Sequence, residues 1–239
     1  CTPIITRLFS PDELGFYGVF TSILAILIPV SILCFQHAIV LPKRDSEAVS
    51  IMKLCFIVCF LNVLILSVFY QLLSQFTELF HSFAPNQSIF FILGIVTFIS
   101  GAGQLVFKQL TIRQGLYLSL AKINIIASIV TNSLKVAIGI LSPTAIWLIL
   151  VQVIGSILHT VLLFQISIKN TSLLDNWIIE QKLWIKNKFR KYAEYPIYRT
   201  PQTFINILLH NSPILIITYI YGVAEGGFYL LVKNTIGFT

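Results

Sequence analysis

Long apolar runs separated by short polar connections dominate the chain, at residues 15–41, 51–74, 88–108, 117–141, 144–168, 201–222 and 226–239. All but the last reach the roughly 20 residues a helix needs to cross about 30 Å of hydrocarbon at ~1.5 Å per residue. In lipid only helices and closed barrels satisfy every backbone polar group. The runs are continuous and do not alternate in the short segments typical of barrel strands, so helices are expected. The pattern predicts an all-α integral membrane protein, a multi-span helical bundle. Residues 1–9 read as the tail of an earlier span ending at Arg7-Leu8-Phe9.

The connections alternate in charge. Three of them, 42–53 (Lys43, Arg44, Lys53), 108–122 (Lys108, Arg113, Lys122) and 169–199, hold all of the 16 Lys and Arg except Arg7, Lys135 and Lys233. The connections between them, 75–87, 142–143 and 222–226, hold none. Basic loops stay in the cytoplasm, so loops 42–53, 108–122 and 169–199 are predicted to be cytoplasmic. The connection 8–14, with Asp12 and Glu13, then falls outside. In the longest basic stretch Leu174, Trp177, Ile178, Ile185, Phe189 and Tyr192 share one helical face. That stretch reads either as an amphipathic helix on the membrane surface or as an ordinary basic loop. It divides the chain into an N-terminal transmembrane bundle over 1–169 with a truncated first span, a cytoplasmic amphipathic linker over 170–195, and the truncated start of a second bundle over 196–239.

Composition agrees with lipid as the solvent. The chain is 56% hydrophobic and 10% charged, with mean hydropathy +0.88, whereas soluble domains carry about 25% charged residues. A net charge of +7 could suggest nucleic acid, but its confinement to alternate loops makes it a topology signal, and no nucleic-acid partner is expected. Cys34, Cys55 and Cys59 lie in apolar runs and give no disulfide framework. Cys55 and Cys59 are a helical turn apart without a neighbouring His or carboxylate, so no metal site is expected. The chain opens on Cys1 and stops at Thr239 within an apolar run, and reads as a fragment of a longer protein.

Two outer turns repeat one motif. Glu13-Leu14-Gly15-Phe16-Tyr17 and Glu225-Gly226-Gly227-Phe228-Tyr229 both read E-x-G-F-Y, and each opens a descending helix. The acidic residue favours the helix N-terminus, the glycine permits a tight turn, and the aromatics suit the interface. An even number of spans between the copies makes the repeat parallel, with two six-helix bundles related by an axis along the membrane normal. Polar stripes also run along single helix faces. They are Thr97, Gly101, Gln104 and Lys108; Asn124, Ser128, Thr131 and Lys135; Gln152, Ser156 and His159; Gln202, Asn206, His210 and Pro213; and, more sparsely, Ser22, Pro29 and Gln36. Ser, Thr and Gly alone fit helix packing, whereas stripes with Lys, Gln and His point to a water-filled interior. Along one face the run 51–74 offers only Cys55, Cys59 and Asn62, and it is expected to face lipid. Pro29 and Pro213 predict kinks.

The residues from Arg7 to Tyr17, then Ala38-Ile39-Val40-Leu41-Pro42-Lys43, Tyr195-Pro196-Ile197-Tyr198-Arg199-Thr200-Pro201 and Tyr221 to Tyr229 resemble polysaccharide-repeat-unit flippases, the O-antigen type of the MATE-like superfamily. The resemblance implies a MATE-like fold with the first six-helix lobe and the start of the second lobe present here. It also implies a bacterial inner-membrane location and a polyprenyl-pyrophosphate-linked oligosaccharide as cargo, with membrane lipids and a polysaccharide polymerase or chain-length machinery as partners. The expected cargo pathway comprises Arg7, Gln36, Gln104, Asn124, Thr131, Lys135, Asn206, His210 and Lys233. Arg7, Lys135 and Lys233 would meet the pyrophosphate. His37, His159 and His210 are candidates for proton coupling, with H+ or Na+ left open as the coupling ion and no other cofactor expected. A drug/cation antiporter of the same superfamily would place a carboxylate within the first bundle. A membrane-embedded synthesis enzyme would need convergent acids, yet all 9 Asp and Glu fall in loops or at span edges. A transporter is therefore expected, not an enzyme.

Overall fold

The structure, a computed structural model, describes residues 8–76, 87–169 and 190–236. Helix α1 (Pro11–Val30) leads through a 3-10 segment (Phe35–Val40) to α2 (Asp45–Phe76), α3 (Gln87–Arg113), α4 (Tyr117–Leu141) and α5 (Ala145–Lys169). A π-helical turn (Tyr195–Arg199) then runs into α6 (Thr200–Tyr221), followed by α7 (Val223–Ile236). Among the described residues there are no strands, and six helices are long and apolar enough to cross a membrane. The protein is an all-α, multi-span membrane protein.

The described parts of the basic connections meet at one end. Arg113, the last residue of α3, donates from Nε and Nη2 to Asp45 Oδ1 at 3.3 and 2.9 Å. Its Nη1 donates to the carbonyls of Ile39, Val40 and Pro42. One guanidinium thus ties the end of α3 to the 3-10 segment and to the start of α2, which a fixed fork of donors can do and an ammonium cannot. Lys191 adds a link to Glu47 at 3.8 Å. Helix α3 ends in a Schellman motif, with Gly115 at φ +71 and bonds from Gly115 N to Ile112 O and from Leu116 N to Thr111 O. Most of the expected amphipathic stretch lies outside the described residues; of its apolar face, only Tyr192 is described. Tyr192 is buried against the core of the basic end and does not face lipid.

The run 15–41 is not one helix. Pro29 lacks the N–H that would bond Ala25 O, and α1 stops one residue later at Val30. Leu33 and Cys34 then take left-handed φ values of 48 and 56. Such conformations cost about 1–2 kcal/mol per non-glycine residue, and burial holds them in place: Ile32, Cys34, Phe35 and Ile39 are all 0% exposed. The expected kink at Pro29 is therefore a helix end. Pro213, in contrast, sits inside continuous α6. Helix α2 divides its expected role. Its first half packs Ile51, Leu54, Cys55 and Val58 into the core, while Phe60, Ile65, Val68 and Phe69 are exposed further along.

At the opposite end α1 and α7 cross at backbone contact. A Cβ on Gly15 would overlap the Val223 carbonyl, and one on Gly227 would overlap the Pro11 carbonyl. In the two E-x-G-F-Y copies these are equivalent positions, so each glycine meets the same carbonyl of the other copy. Gly18 packs on Leu230, again an equivalent pair, so the helices run parallel about a local two-fold axis. The repeat is therefore a physical contact as well as a sequence match. Gly15→Ala or Gly227→Ala should each lower stability by about 1–3 kcal/mol, because backbone must move to admit the methyl. Gly94→Ala, whose Cβ would have its nearest neighbour at 3.9 Å, should leave the thermal midpoint in detergent unchanged or slightly raised.

Candidate functional site

Helices α3, α4 and α5 turn their polar stripes toward one another and toward Thr21 of α1. The 3-4 residue spacing keeps each stripe on one face, and glycines bring the helices close: Gly155 abuts Thr131, Gly103 abuts Thr160 and Gly101 abuts Ile28. Two adjoining cavities result, of about 340 and 310 Å³, which share Gln104, Asn124, Gln152, Ser156 and His159 as walls. The first also takes in Thr21, Thr97 and Lys108, and the second Ser128, Thr131 and Lys135. Among the described residues, the charged side chains lining them are two lysines, with no Asp or Glu.

Part of this polarity joins helices to each other. Gln104 Nε2 donates to Ser156 O at 3.0 Å, and Thr160 Oγ1 donates to Ser100 O at 2.9 Å. Thr111 and Ser167 hydroxyls meet at 3.1 Å, and Gln114 Nε2 donates to Ser167 O at 3.0 Å. These bonds form the α3–α5 seam, of the kind expected where lipid gives no hydrophobic drive to association. The remaining groups line the cleft. His159 Nε2 and Asn124 Oδ1 lie 3.0 Å apart across it. At its far end Lys135 Nζ donates to Tyr17 Oη at 2.8 Å and to Gln152 Oε1 at 2.9 Å, and Tyr17 Oη donates to the same Gln152 oxygen at 3.0 Å. The ammonium also sits 5.0 Å from the Tyr17 ring centroid.

The expected pathway and proton-coupling residues separate into those that meet in the cleft and those that lie elsewhere. Gln104, Asn124, Thr131, Lys135 and His159 come together in the cleft. Gln36 is buried on the 3-10 segment, where its Oε1 has no hydrogen-bond partner among the described residues. His37, on the same segment, accepts from Gln109 Nε2 at 2.9 Å through Nδ1. Burial first, and the Arg199 charge second, lower its pKa below the ordinary imidazole value. Asn206 and His210 are exposed on α6, and Arg7 lies outside the described residues.

Lys233 is placed differently from Lys135. Pro213 offers no N–H to Leu209 O and loosens the turn before it. Ser212 Oγ donates to Leu209 O at 3.5 Å, and Lys233 Nζ donates to the neighbouring His210 O at 2.9 Å. The lysine thus joins α7 to the proline turn of α6. Two residues not assigned to the pathway carry much of this geometry. Tyr17 stood out only as an interfacial aromatic and instead points inward. Arg113 counted only as loop charge, although its place at a helix end beside an acidic helix start was the available signal.

The fold and the cleft define a multi-pass helical membrane protein with a cationic polar interior. Over residues 4–238 the chain matches the family described as polysaccharide biosynthesis protein, and it belongs to that family. Its role lies in polysaccharide synthesis or export. No curated protein and no solved structure matches it. From the site geometry, Lys233→Met should lower the stability of the full-length protein by about 1 kcal/mol, the scale of one partly exposed charged hydrogen bond. Thermal unfolding in detergent would show it, with Ser212→Ala adding a further small loss at the same turn.

Proposed function

We propose that this protein flips polyprenyl-pyrophosphate-linked oligosaccharide repeat units across the bacterial inner membrane for O-antigen or capsule synthesis, as a MATE-like transporter and not an enzyme. One observation carries the reading: an intramembrane cleft lined by Lys108, Lys135 and neutral hydrogen-bonding groups, with no carboxylate among the described residues. Cations within a span are costly unless they meet an anion, water or dipoles, and a lipid-linked pyrophosphate supplies an anion. With the basic end in the cytoplasm, as the loop charges indicate, Lys108 stands toward the side of entry and Lys135 toward the side of release. Of the three candidate coupling histidines, His159 lines the cleft, so a proton gradient would act through it.

A cation antiporter of the same superfamily fits less well, because its cargo would meet like charge. Three of the described acids support the non-enzymatic reading by what they bind: Glu13 accepts from Ala145 N, Asp45 holds Arg113, and Glu47 faces Lys191. The test is outward transfer of a radiolabelled polyprenyl-pyrophosphate sugar in vesicles containing the full-length protein. Transfer is expected, and Lys135→Ala should slow it about tenfold or more, the effect of removing one good ionic interaction. Absence of transfer by intact protein would sink the flippase reading.

A further inference from the structure

Lys135 lies six residues before the end of α4 at Leu141, a rise of only about 9 Å, so its side chain could reach the interface by snorkelling. It turns inward instead. Its ammonium, the Tyr17 hydroxyl and the Gln152 carbonyl oxygen close a three-membered ring of hydrogen bonds at 2.8, 2.9 and 3.0 Å. Two donors converge on one Gln152 atom, which fixes that atom as oxygen and leaves Nε2 on the other side of the amide. The tyrosine hydroxyl has one hydrogen and gives it to Gln152, so toward Lys135 it acts as acceptor. One ammonium hydrogen and both Gln152 amide hydrogens are then without a partner among the described residues, on two side chains that line the roughly 310 Å³ cavity. No carboxylate lies within ion-pair distance of Lys135 among the described residues. A held cation and adjacent unused N–H groups on side chains that line one cavity have the chemistry of an anion receptor.

We propose that Tyr17, Lys135 and Gln152 form a receptor for an oxyanion, in which Lys135 and the Gln152 amide bind the anion and Tyr17 is a positioning residue that keeps the ammonium inward. The ligand chemistry is a phosphate or carboxylate oxygen, carried either by the pyrophosphate linkage or by an acidic sugar of the repeat unit. This assignment rests on the flippase reading for the origin of its ligand, while its chemistry is testable apart from transport. The Tyr17 ring stays in place in Tyr17→Phe, so that change removes only the hydroxyl. Gln152→Glu keeps the shape but puts a carboxylate against Lys135, which should satisfy the cation internally and exclude an external anion.

The experiment measures binding of inorganic pyrophosphate and, separately, of glucuronate to purified full-length protein by titration calorimetry, with thermal unfolding as a check on folding. The wild type should bind at least one probe: pyrophosphate alone assigns the receptor to the linkage, glucuronate alone to an acidic sugar. Gln152→Glu and Lys135→Met should lose that binding, with the thermal midpoint of Gln152→Glu unchanged or raised. Tyr17→Phe should weaken binding roughly tenfold, the effect of one charge-assisted hydrogen bond. Wild-type protein that binds neither probe, or Gln152→Glu that binds as wild type does, overturns the receptor. A lower thermal midpoint for Tyr17→Phe with unchanged affinity overturns the positioning role. Binding that follows this pattern without lipid-linked transfer in vesicles upholds the receptor and removes only the flippase reading.

Discussion

The close approach of α1 and α7 at Gly15 and Gly227 is the constraint on which the arrangement of the remaining helices depends. Lipid tails are as apolar as leucine, so burying leucine between helices gains little, and close packing with polar contacts must hold the bundle. Backbone-to-backbone contact at two glycines sets the position of α1, and α1 then uses its other faces. Glu13, two residues before Gly15, reaches the first N–H of α5, where a carboxylate offsets the positive end of the helix. Tyr17, two residues after it, reaches Lys135 on α4 and Gln152 on α5. A stretch of about one helical turn therefore joins four helices, and the repeated motif is kept compact by what each of its positions must touch.

The basic end is organised on another principle. There Arg113 gathers three carbonyls and a carboxylate, and apolar side chains from the 3-10 segment fill the space below. The left-handed turn at Leu33 and Cys34 is what drops Phe35 and Ile39 into that space. With one end fixed by glycine contact and the other by a guanidinium, the middle of the bundle is where polar stripes face a cavity.

How much of this could be read from the residues follows from which forces are local. The stripes on α3, α4 and α5 were legible because Lys, Gln and His cannot face lipid cheaply, and their spacing alone places them on one side. The spans and the basic loops were legible for the same reason. The stop at Val30 was half legible: Pro29 announced a disturbance, but whether a helix bends or ends depends on what the next residues can bury. Tyr17 was misread as an interfacial anchor because its partners lie 118 and 135 residues away, and nothing on its own helix betrays them. The repeat predicted parallel halves, whereas the contact between its two glycines arises from the packing of two helices that are far apart along the chain.

Lys135 and Lys233 show where sequence reasoning reaches its limit in a membrane. Both are lone cations in apolar helices, and the same argument, that each must find something negative, applied to both. What separates them is the nearest available oxygen. Beside Lys233 a proline has loosened a helical turn, and the His210 carbonyl receives the ammonium. Beside Lys135 the partners are two neutral side chains, Tyr17 of α1 and Gln152 of α5, that share one charge between them. A peptide carbonyl at a helix break is a fixed structural acceptor. Neutral side chains at the edge of a cavity disperse charge without cancelling it, and leave a positive field in the cavity. The distinction between a lysine that mends a helix and one that offers charge to a passing anion therefore lies in the acceptor: a backbone carbonyl for Lys233, two neutral side chains for Lys135.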